Sequence, residues 1–327
     1  MSFIFPQKVR YDYFLKENNS VQFLFPITGL SIDNELTIGY VTFYNLKNIN
    51  YEKAEHLKIF IKNISALSTV NTVAYVDVSQ IPASWKEKCN NNLSIALMLI
   101  KQVIGLLYLT YYEYEGFKDQ KRIIISENNK HECEEGMGIY LSSDGYVRKS
   151  KVSGNLWLHP SSSFLRLLYV KVPSFIALYA MDSEMKLKIL KLFESLYHLL
   201  NEIHSVERIL KMSAFLQFIL LENVKEDFPP VSKRIRYFLD QNNIRIDAFG
   251  NTGKLNSMLD KIYRNIRNKY SHGEISLYEE YNVINASDYF MFFQVYMSVI
   301  LLLVYNTDLK KIKSTQDLLK QIANYRP

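Results

Sequence analysis

The sequence predicts two domains of different class: a mixed α+β domain over residues 1–165, followed by an all-α helical bundle over residues 166–327. Three observations lead there. The chain has 327 residues, more than one domain usually holds. Short β-rich runs are confined to its first half. Apolar residues at helical spacing dominate the second half. Hydrophobic residues make up 48% and charged residues 22%, as in globular proteins with real cores, and only 11 Gly and 8 Pro argue against a low-complexity chain.

In the first domain, Val21–Phe25, Leu36–Tyr44 and Thr72–Val78 read as strands set apart by Asn, Asp, Ser and Gly clusters. One convincing helix is expected from Asn92 to Tyr112, where Ile95, Met98, Leu99, Gln102, Leu106, Leu107 and Thr110 recur at helical spacing. Arg122–Ser126 and Gly138–Leu141 resemble two further strands. The segment His159-Pro160-Ser161-Ser162-Ser163 is the best candidate for a boundary, although the helical pattern becomes steady only after Pro173.

Beyond it, Asp182 or Ser183 can cap a helix running to about His204. A second helix covers Val206–Asn223 and stops at Phe228-Pro229-Pro230. Ser232–Gln241 makes a shorter third, and Asn242–Gly253 a loop. Long helices follow over Lys254–Tyr270 and Asp288–Tyr305, with a last amphipathic one over Thr315–Asn324. The apolar stretches Leu93–Tyr112 and Tyr289–Tyr305 invite a membrane check. The first is interrupted by Lys101 and Gln102, and the second falls short of the roughly 20 residues a span needs. Both read as buried helices. The N-terminus lacks the basic-then-apolar order of a secretory signal, so a cytoplasmic protein with no membrane partner is expected.

The formal net charge of +6 is unevenly spread. Between residues 254 and 269, Lys254, Lys261, Arg264, Arg267 and Lys269 face a single acid, Asp260. Phosphate binding needs clustered positive charge, but a solvated helix face has the same composition. Cys89 and Cys133 belong to no CxxC pair and cannot supply a four-thiolate zinc site; one disulfide between them is allowed and nothing requires it.

The chemistry is concentrated at the end of the Lys254–Tyr270 helix. Its apolar stripe is Leu255, Leu259, Ile262, Ile266 and Tyr270. At about 100° per residue, Arg267, Asn268 and His272 lie at about 100°, 200° and 240° from Ile266, away from that stripe. Gly273 suits the left-handed residue that ends many helices. A histidine on an apolar face is generally a satisfied core residue, whereas His272 sits on the polar side beside basic residues. Its imidazole can act as acid or base near neutral pH, and Arg267 offers a planar fork of donors to a phosphate. The two are about 140° apart on a straight helix, so one phosphate is poorly served by one helix. Either the last turn unwinds, or two copies of the helix share a site in a homodimer.

Arg267-Asn268-Lys269-Tyr270-Ser271-His272 resembles the Arg-x4-6-His signature of HEPN domains, including the polar residue after the Arg. With Tyr263, Ile266 and Gly273 it is similar to the Apea-like branch of that superfamily, and the order of helices around the motif agrees. The likeness covers residues 175–310; the first half, with its Val73–Val78 strand and Asn92–Tyr112 helix, is only loosely similar to what precedes HEPN in such proteins. Glu274 stands where toxin-type members carry Tyr.

The resemblance implies a HEPN-type bundle and a metal-independent endoribonuclease that needs no cofactor, of a bacterial toxin, abortive-infection or antiphage-defence kind, with the N-terminal domain as sensor or regulator. In it the ribose 2′-OH attacks the neighbouring phosphorus. His272 handles protons, Arg267 stabilises the growing phosphoryl charge, Asn268 orients the His or a phosphate, and Arg264 and Lys269 hold the RNA backbone. DNA lacks the attacking hydroxyl and is expected to be a poor substrate. A non-catalytic HEPN protein that binds nucleotide or RNA, or serves as a dimeric scaffold, is the competing expectation.

Other polar residues carry less. Glu194 lies in an apolar helix and either faces solvent or the site. His198 and His204 lack the i, i+4 spacing of a helical metal site, and His131 with Cys133 reads as part of an acidic loop. The 24 Tyr and 19 Phe are mostly packing residues.

Overall fold

The computed structural model describes residues 22–45, 72–82, 91–115, 124–125, 138–142, 147–150, 158, 160–180, 183–201, 205–220, 234–235, 257, 259–262, 286–301, 303–304 and 313–323. An antiparallel sheet built from the first half is followed by a mostly helical remainder. The chain divides into two compact units, Met1–Ile104 with Phe117–Val172, and Gly105–Gly116 with Pro173–Pro327.

The sheet contains β1 (Gln22–Thr28), β2 (Leu36–Ile38), β3 (Val41–Asn45), β4 (Thr72–Asp77), β5 (Ile124–Ile125), β6 (Gly138–Ser142) and β7 (Val147–Ser150). Their order is β2-β3-β4-β1-β6-β7, with β5 also on β1, and every pairing is antiparallel. On one edge β1 meets β6 at Phe23 and Leu24, and β5 at Ile27 and Thr28. Phe25 and Pro26 fall at the change of partner. An interrupted ladder there suits Pro26, which has no N–H to give a neighbouring strand.

The run expected as one strand over Leu36–Tyr44 is two strands. Ile38 pairs with Val41, so Gly39 and Tyr40 form a two-residue hairpin loop, and Gly39 adopts φ 60°. A positive φ at the first loop position matches the right-handed twist of the flanking strands, and glycine adopts it without a Cβ clash. Period-two alternation then sets the faces. Leu36, Ile38, Val41, Phe43, Ala74, Val76, Phe23, Phe25 and Ile27 share one face by register and are all buried. Gly29, with φ 80°, turns the chain after β1, and its carbonyl accepts from Leu158 N–H at 2.6 Å. Ser31 N–H donates back to the Leu158 carbonyl at 2.9 Å, and Thr72 Oγ1 donates to the buried Leu30 carbonyl at 2.8 Å.

Six helices are described in full: α1 (Asn92–Glu115), α2 (Ser162–Ala180), α3 (Glu184–Asn201), α4 (Ser205–Leu220), α5 (Ala286–Leu301) and α6 (Thr315–Ala323). Four begin on a side-chain cap that satisfies an N–H the helix itself cannot. Asn91 Oδ1 accepts from Ser94 N–H at 2.8 Å, Ser161 Oγ from Phe164 N–H at 3.2 Å, and Ser183 Oγ from Lys186 N–H at 3.2 Å. At α6, Ser314 Oγ accepts from Asp317 N–H while Asp317 accepts from Ser314 N–H, a reciprocal capping box. Ser161, within the segment expected as a boundary, is therefore the cap of a helix. That helix continues through Pro173, and the two units divide between Val172 and Pro173.

α1 is the one helix among the described residues that is long and apolar enough to cross a membrane. Every residue from Gln102 to Tyr111 is buried. Its Gly105 lies so close to the Phe193 carbonyl of α3 that a Cβ there would overlap backbone. α4 packs on α3, α5 and α6. The aromatic contacts of the helical unit are edge-on: Phe175 meets Phe193 at 5.1 Å and Tyr179 at 5.3 Å, and Tyr112 meets Phe293 at 6.1 Å. Such pairs add about 0.5–1.5 kcal/mol each beyond the area they bury.

Candidate functional site

The helix expected over Lys254–Tyr270 is described at Ser257 and at 259–262, and those residues are helical. Leu259 is 0% and Ile262 1% exposed, while Ser257 and Lys261 face solvent. The apolar stripe is thus turned inward at the positions described, with the polar side outward, as a 3.6-residue period requires. Arg264, Arg267, Asn268, Lys269 and His272, together with Leu255, Ile266, Tyr270, Gly273 and Glu274, lie outside the described residues. So do Cys89, His131, Cys133 and His204.

Glu194 is described and is not a solvated side chain. Its side chain is 15% exposed and pairs with Lys191 Nζ at 2.8 Å, one turn back on α3. The lysine end of this pair is the exposed one. His198 is exposed on α3, its ring edge-on to Tyr197 at 5.2 Å. Among the described residues, no three His, Cys, Asp or Glu side chains come together as a metal-holding group.

The start of α3 is tied to α6 by polar contacts. Met185 N–H donates to the Lys313 carbonyl at 3.2 Å. Lys188 pairs with Glu184 at 2.9 Å, donates to Thr315, and lies 5.2 Å over the Phe218 ring of α4. The carboxyl of Asp317 is held below its ordinary range, chiefly by Ser314 and the N–H of Lys313. These are bonds that fix helix ends.

A second polar assembly, unforeseen from the sequence, lies on the sheet face opposite the buried one. Register places Thr37, Thr42 and Tyr75 in one row, with Tyr44 diagonal to Tyr75. The two tyrosine rings are 6.4 Å apart and tilted by 56°, and the Thr37 and Thr42 hydroxyls are 3.1 Å apart. Burial, then the Asp77 carboxylate and Tyr44, push the Tyr75 phenol up to about 12. Tyr44 is also raised, by burial and by Glu35. Burial alone would raise Asp77, but the Ser79 hydroxyl and N–H, Gln22 and Gln80 outweigh it and hold the carboxyl below its usual range. Ser79 Oγ and N–H reach Asp77 at 2.5 and 2.9 Å, so this carboxylate caps a short turn over Val78–Gln80. The alternation of Thr and Tyr with Val and Phe in β3 and β4 is the signal that could have located this face.

Comparison with protein-family models, with curated proteins and with solved structures finds no match for the chain.

Proposed function

We propose that the chain is a metal-independent endoribonuclease of the HEPN kind, cutting RNA at a site formed by Arg267, Asn268 and His272. The observation that carries this reading is the sequence Arg267 to His272 with Asn268 after the arginine and Gly273 after the histidine, on the polar side of a basic amphipathic helix. It is supported by the inward burial of Leu259 and Ile262, which sets the expected phase of that helix before the motif begins. A mostly helical second half suits a HEPN-type bundle as well.

In the proposed reaction the ribose 2′-oxygen loses its proton and bonds to the adjacent phosphorus. The phosphorus–O5′ bond breaks, and a proton is delivered to the departing O5′. The products are a 2′,3′-cyclic phosphate and a 5′-hydroxyl. His272 moves the protons, with an imidazole suited to both roles near neutral pH. Arg267 stabilises charge that grows on the non-bridging oxygens, where a fixed pair of donors acts most strongly on the transition state. Asn268 orients the imidazole or the phosphate, and Arg264 and Lys269 hold the flanking backbone. Because Arg267 and His272 are about 140° apart on an ideal helix, two chains in a homodimer supply one composite site. The cytoplasm is the proposed compartment and antiphage defence the proposed setting, with the sheet-bearing unit as regulator.

The test separates cutting from binding. Labelled RNA is incubated with wild type and Arg267→Ala in EDTA, and affinity is measured alongside. An enzyme loses cutting by about 10²-fold or more in the variant, as when a transition-state donor is removed, with a smaller loss of affinity. A binding protein leaves the RNA whole in both and changes only affinity. A DNA strand of the same sequence should remain intact.

A further inference from the structure

Polar groups inside the helical unit mostly have partners. Thr110 Oγ1 donates to the Leu106 carbonyl and Ser195 Oγ to that of Lys191, each at 2.8 Å and four residues back. Tyr108 hydroxyl donates to Asn201 Oδ1 at 3.2 Å, and Tyr111 hydroxyl to Glu115 at 2.9 Å. Lys186 Nζ donates to the Tyr179 carbonyl at 3.0 Å.

Two hydroxyls break this pattern. Ser213 Oγ on α4 and Tyr296 Oη on α5 are buried with no hydrogen-bond partner among the described residues. Both side chains belong to residues at 0% exposure. α4 and α5 pack on each other. Ser213 does not donate to the carbonyl four residues back, as Ser195 and Thr110 do. One turn either side of Tyr296 on its own helix, Phe292, Phe293, Val299 and Ile300 are all buried and apolar, so its nearest neighbours on that face offer the phenol no partner. Burial raises the phenol's pKa, so it remains a neutral donor across the physiological range. A buried hydroxyl left unmet lowers the folding equilibrium constant by roughly five- to a hundredfold. Two such losses on packed helices call for a compensating group.

We propose that Ser213 and Tyr296 line an internal site between α4 and α5 that holds one water molecule bridging their hydroxyls. Water supplies two donors and two acceptors, so it can accept from the phenol and donate to the serine oxygen at once. It can spend its remaining hydrogen on the second lone pair of a helix carbonyl. Buried waters sit where two to four polar groups converge, and removing a partner costs stability. The phenol and the serine are conservative to delete: Tyr296→Phe and Ser213→Ala each remove one oxygen and leave the packing shape largely intact.

The experiment is urea unfolding of the full chain for wild type, Tyr296→Phe, Ser213→Ala and the double variant, joined to a high-resolution crystal structure of the wild type. The water site predicts that each single variant lowers the folding constant by about tenfold. The double variant should lose no more than the worse single, because both changes remove the same bridge. The crystal structure should show one ordered water within about 3.2 Å of both oxygens. Single variants that fold as well as wild type or better would mean the hydroxyls are simply unmet, and would overturn the proposal. Additive losses would mean separate partners, and coupled losses with no ordered water would mean a direct bond between the hydroxyls; either also overturns it.

Discussion

The sheet-bearing unit and the helical unit handle polarity in opposite ways. In the sheet, strand alternation sends Phe43, Val76 and Phe25 to one face and Thr42, Tyr44, Tyr75 and Asp77 to the other, where they pair with one another or with Gln22 and Ser79. Polar groups there need only stay half-exposed. In the helical unit Phe292, Phe293, Tyr296, Val299 and Ile300 form a fully buried side of α5, so the hydroxyl of Tyr296 has no solvent to turn toward. The sheet tolerates polar residues by separating them, while the helical unit must satisfy each one locally. The two units should therefore differ in what a substitution costs.

Truncating a large core ring should have the largest stability effect in both. Phe193 is fully buried against Phe175, and Phe43 is fully buried in β3 between Leu36 and Ala74. Phe193→Ala and Phe43→Ala are each expected to cost about 3–5 kcal/mol in urea unfolding. A loss below about 1 kcal/mol at either position would contradict the burial described for that unit.

Adding volume should discriminate the units more finely. Gly105→Ala would gain up to about 1 kcal/mol of helix propensity. It also sets a methyl against the Phe193 carbonyl, and backbone cannot step aside as a flexible side chain can. Overpacking of this kind costs about 1–3 kcal/mol, so a net fall in the unfolding midpoint is expected. A rise would show that α1 and α3 are less closely packed. A smaller effect, about 1 kcal/mol, is expected when Ser314→Ala removes half of the capping box of α6. Amide exchange at Asp317 should rise with it.

The smallest effect is one of pH and belongs to the sheet. Because the folded-state pKa of Tyr75 is raised from 10.0 to about 12, the folded protein holds that proton more tightly than the unfolded chain. The resulting stabilisation is complete below pH 10 and is lost as pH climbs toward 12. Tyr75→Phe should flatten that alkaline decline in a titration of unfolding midpoint. An unchanged decline would place its cause on other groups.

Much of this architecture was legible in the sequence because it rests on local rules. The α3 cap at Ser183, the helices over α4, α5 and α6, and the strands β1, β4 and β6 follow from period and capping chemistry, with ends shifted by a few residues. What escaped depends on pairing and capping partners that the period of a single run does not announce. The hairpin at Gly39-Tyr40 lay hidden inside a continuous β-rich run, since this loop lacks the Asn-Gly or Asp-Gly pair that usually advertises one. β7 was missed because Val147-Arg148-Lys149-Ser150 has too few apolar residues to announce a strand until Leu141 pairs with Val147. α2 begins at Ser162, ahead of Pro173 where the helical pattern becomes steady, because Ser161 caps the helix and the proline lies on its exposed side. The candidate site is readable as spacing on one helix. Its assembly from one chain or two depends on where Arg267 and His272 stand in space, which no periodicity specifies.

The central claim is chemical, and one assay addresses it most directly: purified wild type and His272→Ala are each incubated with labelled RNA in EDTA, and the product ends are analysed. Cleavage by the wild type to 2′,3′-cyclic phosphate and 5′-hydroxyl ends is expected, with a loss of about 10²–10⁴-fold in the variant, the usual contribution of a positioned acid–base group. Equal cleavage by both proteins would contradict the assignment of the site to His272, and RNA left whole by the wild type would contradict the proposed activity.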